Sequence, residues 1–244
     1  MHLLRASGAI FRNGSQEDSK MQEKGKKGLV AGICLVLLFV LWTVLVLKVD
    51  VRPAGEAGTE VGFAAVNTRF HEMTGVNMKL YDITEWLGYI PFLICAGFGL
   101  LGLMQLVRGK SLKKVDADII LLGVYYIAVI CCYFLFEKLH INDRPVLMDG
   151  KAEASYPSSH TLLAVSVMPT LIFQVNRRCG SAALRKAVFA GSALFAAFLV
   201  IARLVCGVHW LTDIIGGVLL GAGLYLVYRS AVAVLDGGKA EKAA

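Results

Sequence analysis

The chain of 244 residues is 57% hydrophobic, has a mean hydropathy of +0.64 and carries a formal charge of +7. A soluble domain holds about 45–50% apolar residues. The excess here is gathered into long runs, which excludes an ordinary soluble domain and points to an integral membrane protein.

In chain order, a mixed polar stretch comes first. Residues 1–28 are expected to be a cytoplasmic, disordered, basic N-terminus ending in "KGKKG", with Met21 a candidate alternative start. Six apolar runs of near-spanning length follow, at about 29–49, 87–107, 119–136, 160–175, 187–206 and 214–228. Residues 229–244 form a short tail. The first run is too long and too far from the terminus for a cleaved signal peptide, so it reads as a retained span. The predicted fold class is all-α, a six-transmembrane-helix bundle over 29–228.

Between the first two runs lies a longer segment, 50–86. Its opening is rich in turn residues. Phe63, Val66, Phe70 and Met73 then recur at helical spacing, which predicts a short amphipathic helix at the membrane surface. It reads as a packing element or the lining of a substrate entrance, and His71 on it as a surface residue.

Charge sets the orientation. With the N-terminus inside, the inner segments 1–28, 108–118, 176–186 and 229–244 carry seventeen of the 25 Lys and Arg. That bias predicts both termini in the cytoplasm of a cell-membrane protein. It also accounts for the net charge without nucleic-acid binding. The six cysteines, mostly in apolar runs, lack the spacing of a zinc site and read as small packing residues.

Three polar clusters interrupt the second half: 137–150, 155–161 and 202–213. The layout brings them to one face, the outer one. Ionisable groups at span ends are costly unless paired or functional. Arg144 and Arg203 have the fork geometry that grips phosphate. Ser158 and Ser159 head the fourth run, where backbone N–H groups and the helix dipole favour an anion. His209 and Asp213 stand four apart, so on a helix they share a face and the carboxylate orients the imidazole. A neutral, oriented His209 suits nucleophilic attack on phosphorus. His160 is then available to protonate a leaving alkoxide. The arginines stabilise developing charge, so no metal is required.

These residues resemble the type 2 phosphatidic acid phosphatase (PAP2) superfamily, whose motifs are K-x6-R-P, P-S-G-H and S-R-x5-H-x3-D. The second motif reads Pro157-Ser158-Ser159-His160 here. The third reads Ala202-Arg203, then His209, then Asp213, and the first retains Arg144-Pro145. The resemblance implies a helical bundle of the acid phosphatase–haloperoxidase-like type, with an active site within 137–213. It further implies a metal-independent, cofactor-free membrane phosphatase working through phosphohistidine on the outer face. His209 would be the nucleophile, Asp213 its partner and His160 the acid. Arg144, Arg203, Ser158 and Ser159 would hold the phosphate. The substrate would be a lipid phosphate or diphosphate of the phosphatidic acid, phosphatidylglycerol phosphate or undecaprenyl diphosphate class. A lipid phosphotransferase using the same histidine, and a phosphate-lipid binding or transport protein without turnover, are the alternatives. Three positions depart from the pattern. Glu137 stands where the family lysine belongs, leaving Lys138 one step away as the expected phosphate contact. Ser159 replaces glycine, and Ala202 replaces serine.

Overall fold

A computed structural model describes the backbone of residues 2–243 and the side chains of 22–238. The elements in chain order are α1 (His2–Lys48), the hairpin β1 (Arg52–Ala54) and β2 (Thr59–Val61), α2 (Ala64–Thr74), α3 (Met78–Leu87), α4 (Tyr89–Gly109), α5 (Ala117–Leu139), α6 (Ser159–Arg178), α7 (Ala182–Val205) and α8 (Leu211–Ala243). Residues 22–28, expected to be disordered, are helical and continue into the first span. The proposed start at Met21 lies outside the described side chains.

Among the described residues, five stretches are long and apolar enough to cross a membrane: Gln22–Lys48, Met78–Gly109, Ala117–Leu139, Ala182–Val205 and Leu211–Gly238. The second joins α3 and α4 through Gly88, so it begins well before the expected 87. The expected fourth span, α6, is absent from this set for a physical reason. It is the interior helix of the bundle. Thr161, Ser166, Thr170 and Gln174 on it are all buried, alongside Leu162, Leu163, Ala164, Val167 and Met168. A helix wrapped by other helices needs no apolar coat against lipid. Two of its polar groups find partners on other helices, Tyr126 Oη meeting Thr170 Oγ1 at 2.6 Å and Gln174 Nε2 donating to Tyr228 Oη at 2.6 Å, while Thr161 Oγ1 is buried without one. The outer helices show the converse. Leu37, Leu41, Leu93, Val107, Ile127, Leu194 and Ile201 are exposed, as lipid-facing side chains would be.

α8 is the other organising element. It packs along α1 and against α6. The α1 contact depends on a missing side chain: a Cβ on Gly32 would meet the Val227 nitrogen at 2.8 Å and the Gly223 oxygen at 3.0 Å. Small residues let helices approach this closely in a membrane. One end of the bundle is tied by ions, with Arg177 and Arg178 at the end of α6 paired to Asp118 on α5, and Arg177 also to Asp236 on α8.

The other end carries the polar clusters. There α2 forms where the periodicity placed a helix, and it is held in place by Asn67. That buried amide donates to Gly62 O at 2.8 Å and Thr212 Oγ1 at 2.9 Å, and accepts from the Thr212 N–H at 3.3 Å. α2 therefore packs onto the start of α8. His71 is not a free surface residue, because its ring lies 5.6 Å from that of Trp210 and burial pulls its pKa below the ordinary histidine value. The hairpin braces the loop after α5, since Glu56 N–H donates to Pro145 O at 2.9 Å and its carboxylate accepts from Leu147 N–H at 2.9 Å.

Replacing Gly32 by leucine is expected to force α1 off α8 and cost about 1–3 kcal/mol, as overpacking does. Gly99→Leu, with open space around its Cα, is the control. Thermal unfolding in detergent should separate them, with only the first midpoint falling. Equal midpoints would remove the close α1–α8 approach from the account of the fold.

Candidate active site

A cavity of about 500 Å³ opens at the polar end, lined by residues from α3, the end of α5, the loop after it, the start of α6 and His209. Its parts come from helix termini, where backbone groups lack intrahelical partners.

Arg203, in the last turn of α7, is 0% exposed. Its Nη1 donates to Glu85 Oε1 at 2.8 Å and Thr84 Oγ1 at 3.2 Å, and its Nη2 lies 3.0 Å from His209 Nε2. The guanidinium sits 4.9 Å from the centre of the Tyr81 ring. A guanidinium only donates hydrogen bonds, so Nε2 of His209 must present its lone pair and the ring proton must be on Nδ1. Nδ1 lies 3.6 Å from Asp213 Oδ2, close enough for Coulombic pairing but long for a hydrogen bond, and has no hydrogen-bond partner. His209 is 3% exposed. Burial, then the charges of Arg203 and Arg144, hold its pKa well below the ordinary range, which keeps it neutral at pH 7.

His209 lies in the turn before α8 rather than on it. The expected helical face shared by His209 and Asp213 is therefore a meeting across a helix start. Asp213 is the third residue of α8, and its Oδ2 reaches back to accept the Trp210 N–H at 2.9 Å. This is the carboxylate half of a capping box. Its Oδ1 accepts from Asn142 Nδ2 at 3.4 Å. The same carboxylate both caps the helix and faces the histidine.

Arg144 sits on a loop folded back on itself: its N–H donates to Glu153 O at 2.8 Å, and its Nε lies 3.3 Å from Glu153 Oε2. The Nε and Nη1 groups are buried without a hydrogen-bond partner beside the cavity. Unspent donors of this kind are what an incoming anion would satisfy.

His160 is the second residue of α6. Its Nε2 lies 3.8 Å from Glu85 Oε2 and its Nδ1 3.5 Å from Ser159 Oγ. Gly88 makes room for it, because a side chain there would collide with the imidazole. Ser159 lines the cavity. Ser158 does not; it is fully buried, its Oγ has no partner, and its N–H donates to Asp213 O at 3.0 Å.

Lys138, like Ser158, lies off the cavity where a phosphate contact was expected. Lys138 is exposed and is not part of the cavity wall, which α5 builds from Tyr133, Phe136 and Glu137, with His140 just past its end. Those three helical residues fall on one face, and a one-residue step turns the side chain by about 100°. Glu137 therefore occupies the wall at the position of the family lysine. The sequence reading passed over Tyr81, Thr84 and Glu85. Their signal was present: Tyr81, Thr84, Glu85 and Gly88 are spaced as one face of a helix. Among the described residues, no group of three or more His, Cys, Asp or Glu is placed to hold a metal ion.

Residues 119–235 match the model of the PAP2 superfamily. A search of curated protein sequences found no match. Among solved structures, the chain is similar to that described as the first transmembrane PAP2-type phosphatidylglycerolphosphate phosphatase from Bacillus subtilis. The TM-score is 0.58 at 16% identity, covering 82% of this chain and 95% of the other. The matched segment, just under half of the chain, holds Arg144, His160, Arg203, His209 and Asp213 and is similar to the PAP2 superfamily, while the long apolar helices mark an integral membrane protein.

Proposed function

We propose that the protein hydrolyses a lipid phosphate or diphosphate through a phosphohistidine at His209. One observation carries this reading: a neutral, buried imidazole has its Nε2 lone pair fixed 3.0 Å from a buried guanidinium at the wall of a cavity. An incoming phosphate would take the Arg203 donor onto its own oxygen and release the lone pair for attack.

The His209 Nε2–phosphorus bond forms as the phosphorus–oxygen bond to the lipid breaks, and His160 gives its proton to the departing oxygen. Water then attacks phosphorus and His160 takes its proton. The nitrogen–phosphorus bond breaks, inorganic phosphate leaves, and His209 regains its lone pair. Asp213 steadies the imidazole as it turns cationic. Arg144, Arg203 and the N–H groups at the head of α6 hold the phosphoryl oxygens. In this scheme the residues of the chain supply all of the charge stabilisation, without a metal ion.

We place α6 as a sixth, interior span and the site on the outer face, with both termini inside. The concentration of Lys and Arg in the opposite loops supports this orientation. The phosphatidylglycerolphosphate of the Bacillus relative is a monoester within the proposed substrate class.

The test is phosphate release by purified protein in detergent against a panel of lipid monophosphates and diphosphates, with EDTA present throughout. Wild type is expected to turn over. His209→Ala should lose more than about a thousandfold, and His160→Ala about 10²–10⁴-fold. An acid-labile phosphoryl label on wild type, absent from His209→Ala, would mark the intermediate. Substantial turnover by His209→Ala would refute the assignment of the nucleophile, and a rate rescued only by added Mg²⁺ would refute a metal-free site.

The wall of α5 gives a second expectation. Lys138→Ala should leave kcat/KM within about twofold, the size of an ordinary surface effect. Glu137→Lys, which restores a cation to the cavity wall, should lower KM for a monophosphate. The opposite pattern would mean that α5 is rotated from its described register.

A further inference from the structure

A carboxylate already stands among the groups assigned to the phosphate. Glu85 Oε1 is 2.8 Å from Arg203 Nη1 and its Oε2 is 3.8 Å from His160 Nε2. The same side chain lines the cavity. It is held there by its helix: Thr84, its neighbour, accepts from Arg203 at 3.2 Å and donates to Tyr81 O at 2.7 Å. The Tyr81 ring lies 4.9 Å from the Arg203 guanidinium and 5.9 Å from that of Arg144. One turn on, Gly88 presses against His160. The cationic or titratable groups facing Glu85 are thus Arg203 from α7, Arg144 from the loop after α5, His160 from α6, Tyr133 from α5 and Tyr81 from its own helix.

We infer that Glu85 is a built-in competitor for the anion site on Arg203: it sets an affinity threshold that a phosphate carrying two negative charges passes and a singly charged phosphodiester does not. This rests on the phosphatase reading of the site. The chemistry is an exchange of anions on Arg203. A phosphodiester brings one negative charge, the same as the carboxylate it must dislodge, and lacks the carboxylate's tether. A phosphate monoester carries about −1.5 to −2 at pH 7, so its attraction to Arg203 and Arg144 exceeds that of the carboxylate it replaces. A site open to the bilayer meets phosphodiester headgroups in great excess over any monoester. Without a competitor those headgroups would fill it. With one, only the more highly charged ligand clears the threshold. Both ligands face the same competitor, so its removal should strengthen both by a similar factor.

The experiment measures binding and turnover separately on the whole protein in nonionic detergent. Titration calorimetry at pH 8 with inorganic phosphate and with dimethyl phosphate compares wild type with the isosteric Glu85→Gln. Both anions are expected to bind more tightly to the variant, by about tenfold or more for the loss of one competing charge at contact distance. In turnover, Glu85→Gln should lower KM for a monophosphate lipid. Added phosphatidylcholine should then inhibit the variant much more than wild type. A carboxylate serving only to hold Arg203 in place predicts the opposite sign. Unchanged or weaker anion binding by Glu85→Gln, or equal inhibition of both proteins by phosphatidylcholine, would overturn the inference. Should Glu85→Gln fail to fold, Glu85→Asp carries the same test. Its carboxylate is drawn back by one methylene, so tighter anion binding than wild type is expected, and no gain refutes the inference. Phosphate binding without release from any lipid would count against the phosphatase reading alone.

Discussion

The site is organised around a guanidinium that water does not reach. Arg203 sits at the end of a membrane-length helix with no exposed surface, and a buried charge must be paired or it destabilises the fold. Its neighbours answer that demand in different ways. Glu85 supplies a negative charge, Thr84 an oxygen acceptor, Tyr81 a ring face, and His209 a ring nitrogen. The last is the chemically consequential one. Because arginine can only donate, it selects the tautomer of His209 that keeps a lone pair on Nε2. The constraint that makes Arg203 tolerable inside the protein also prepares the histidine to act on an electrophile.

The scaffold serves this by ending helices at one place. α6 and α8 begin there, and α5 and α7 finish there. The backbone ties between them run through residues with a second task. Asp213 caps α8, faces His209, and accepts the Ser158 N–H through its own carbonyl. Asn142 joins the Asp213 carboxylate to the loop that carries Arg144, and its Oδ1 accepts from the Gly62 N–H at 3.3 Å. Capping α8 and facing His209 are therefore not alternative roles for Asp213. One carboxylate has two oxygens and several lone pairs, enough for both.

How far the sequence could be read depended on which force shaped each residue. Fixed spacing across helix ends marks Arg144, His160, Arg203, His209 and Asp213 in the sequence; Arg144, His160 and His209 line one cavity, with Arg203 and Asp213 beside His209. Lys138 was misread because a shift of one residue looks small in sequence and is a large rotation on a helix. α3 was hidden because the search for a span looked for continuous apolar residues. Lys79, Asp82 and Glu85 lower the hydropathy of 78–87 while leaving its helical face intact. α6 shows the reverse case, a helix of spanning length whose composition reflects protein neighbours rather than lipid.

The acidic side of the cavity gives the site its character. Glu85, Glu137 and Glu153 line it beside Arg144, with Arg203 behind. Each arginine stands against a glutamate, through Arg203–Glu85 and Arg144–Glu153. A cavity intended only to attract phosphate would leave its cations bare, and on a membrane rich in anionic and zwitterionic headgroups it would seldom be empty. Internal carboxylates lower the affinity of the site for every anion, which keeps it from filling with the weaker ligand where that ligand is abundant. The departure of Glu137 from the family lysine belongs to the same balance, since it removes one attraction from a site that is already guarded.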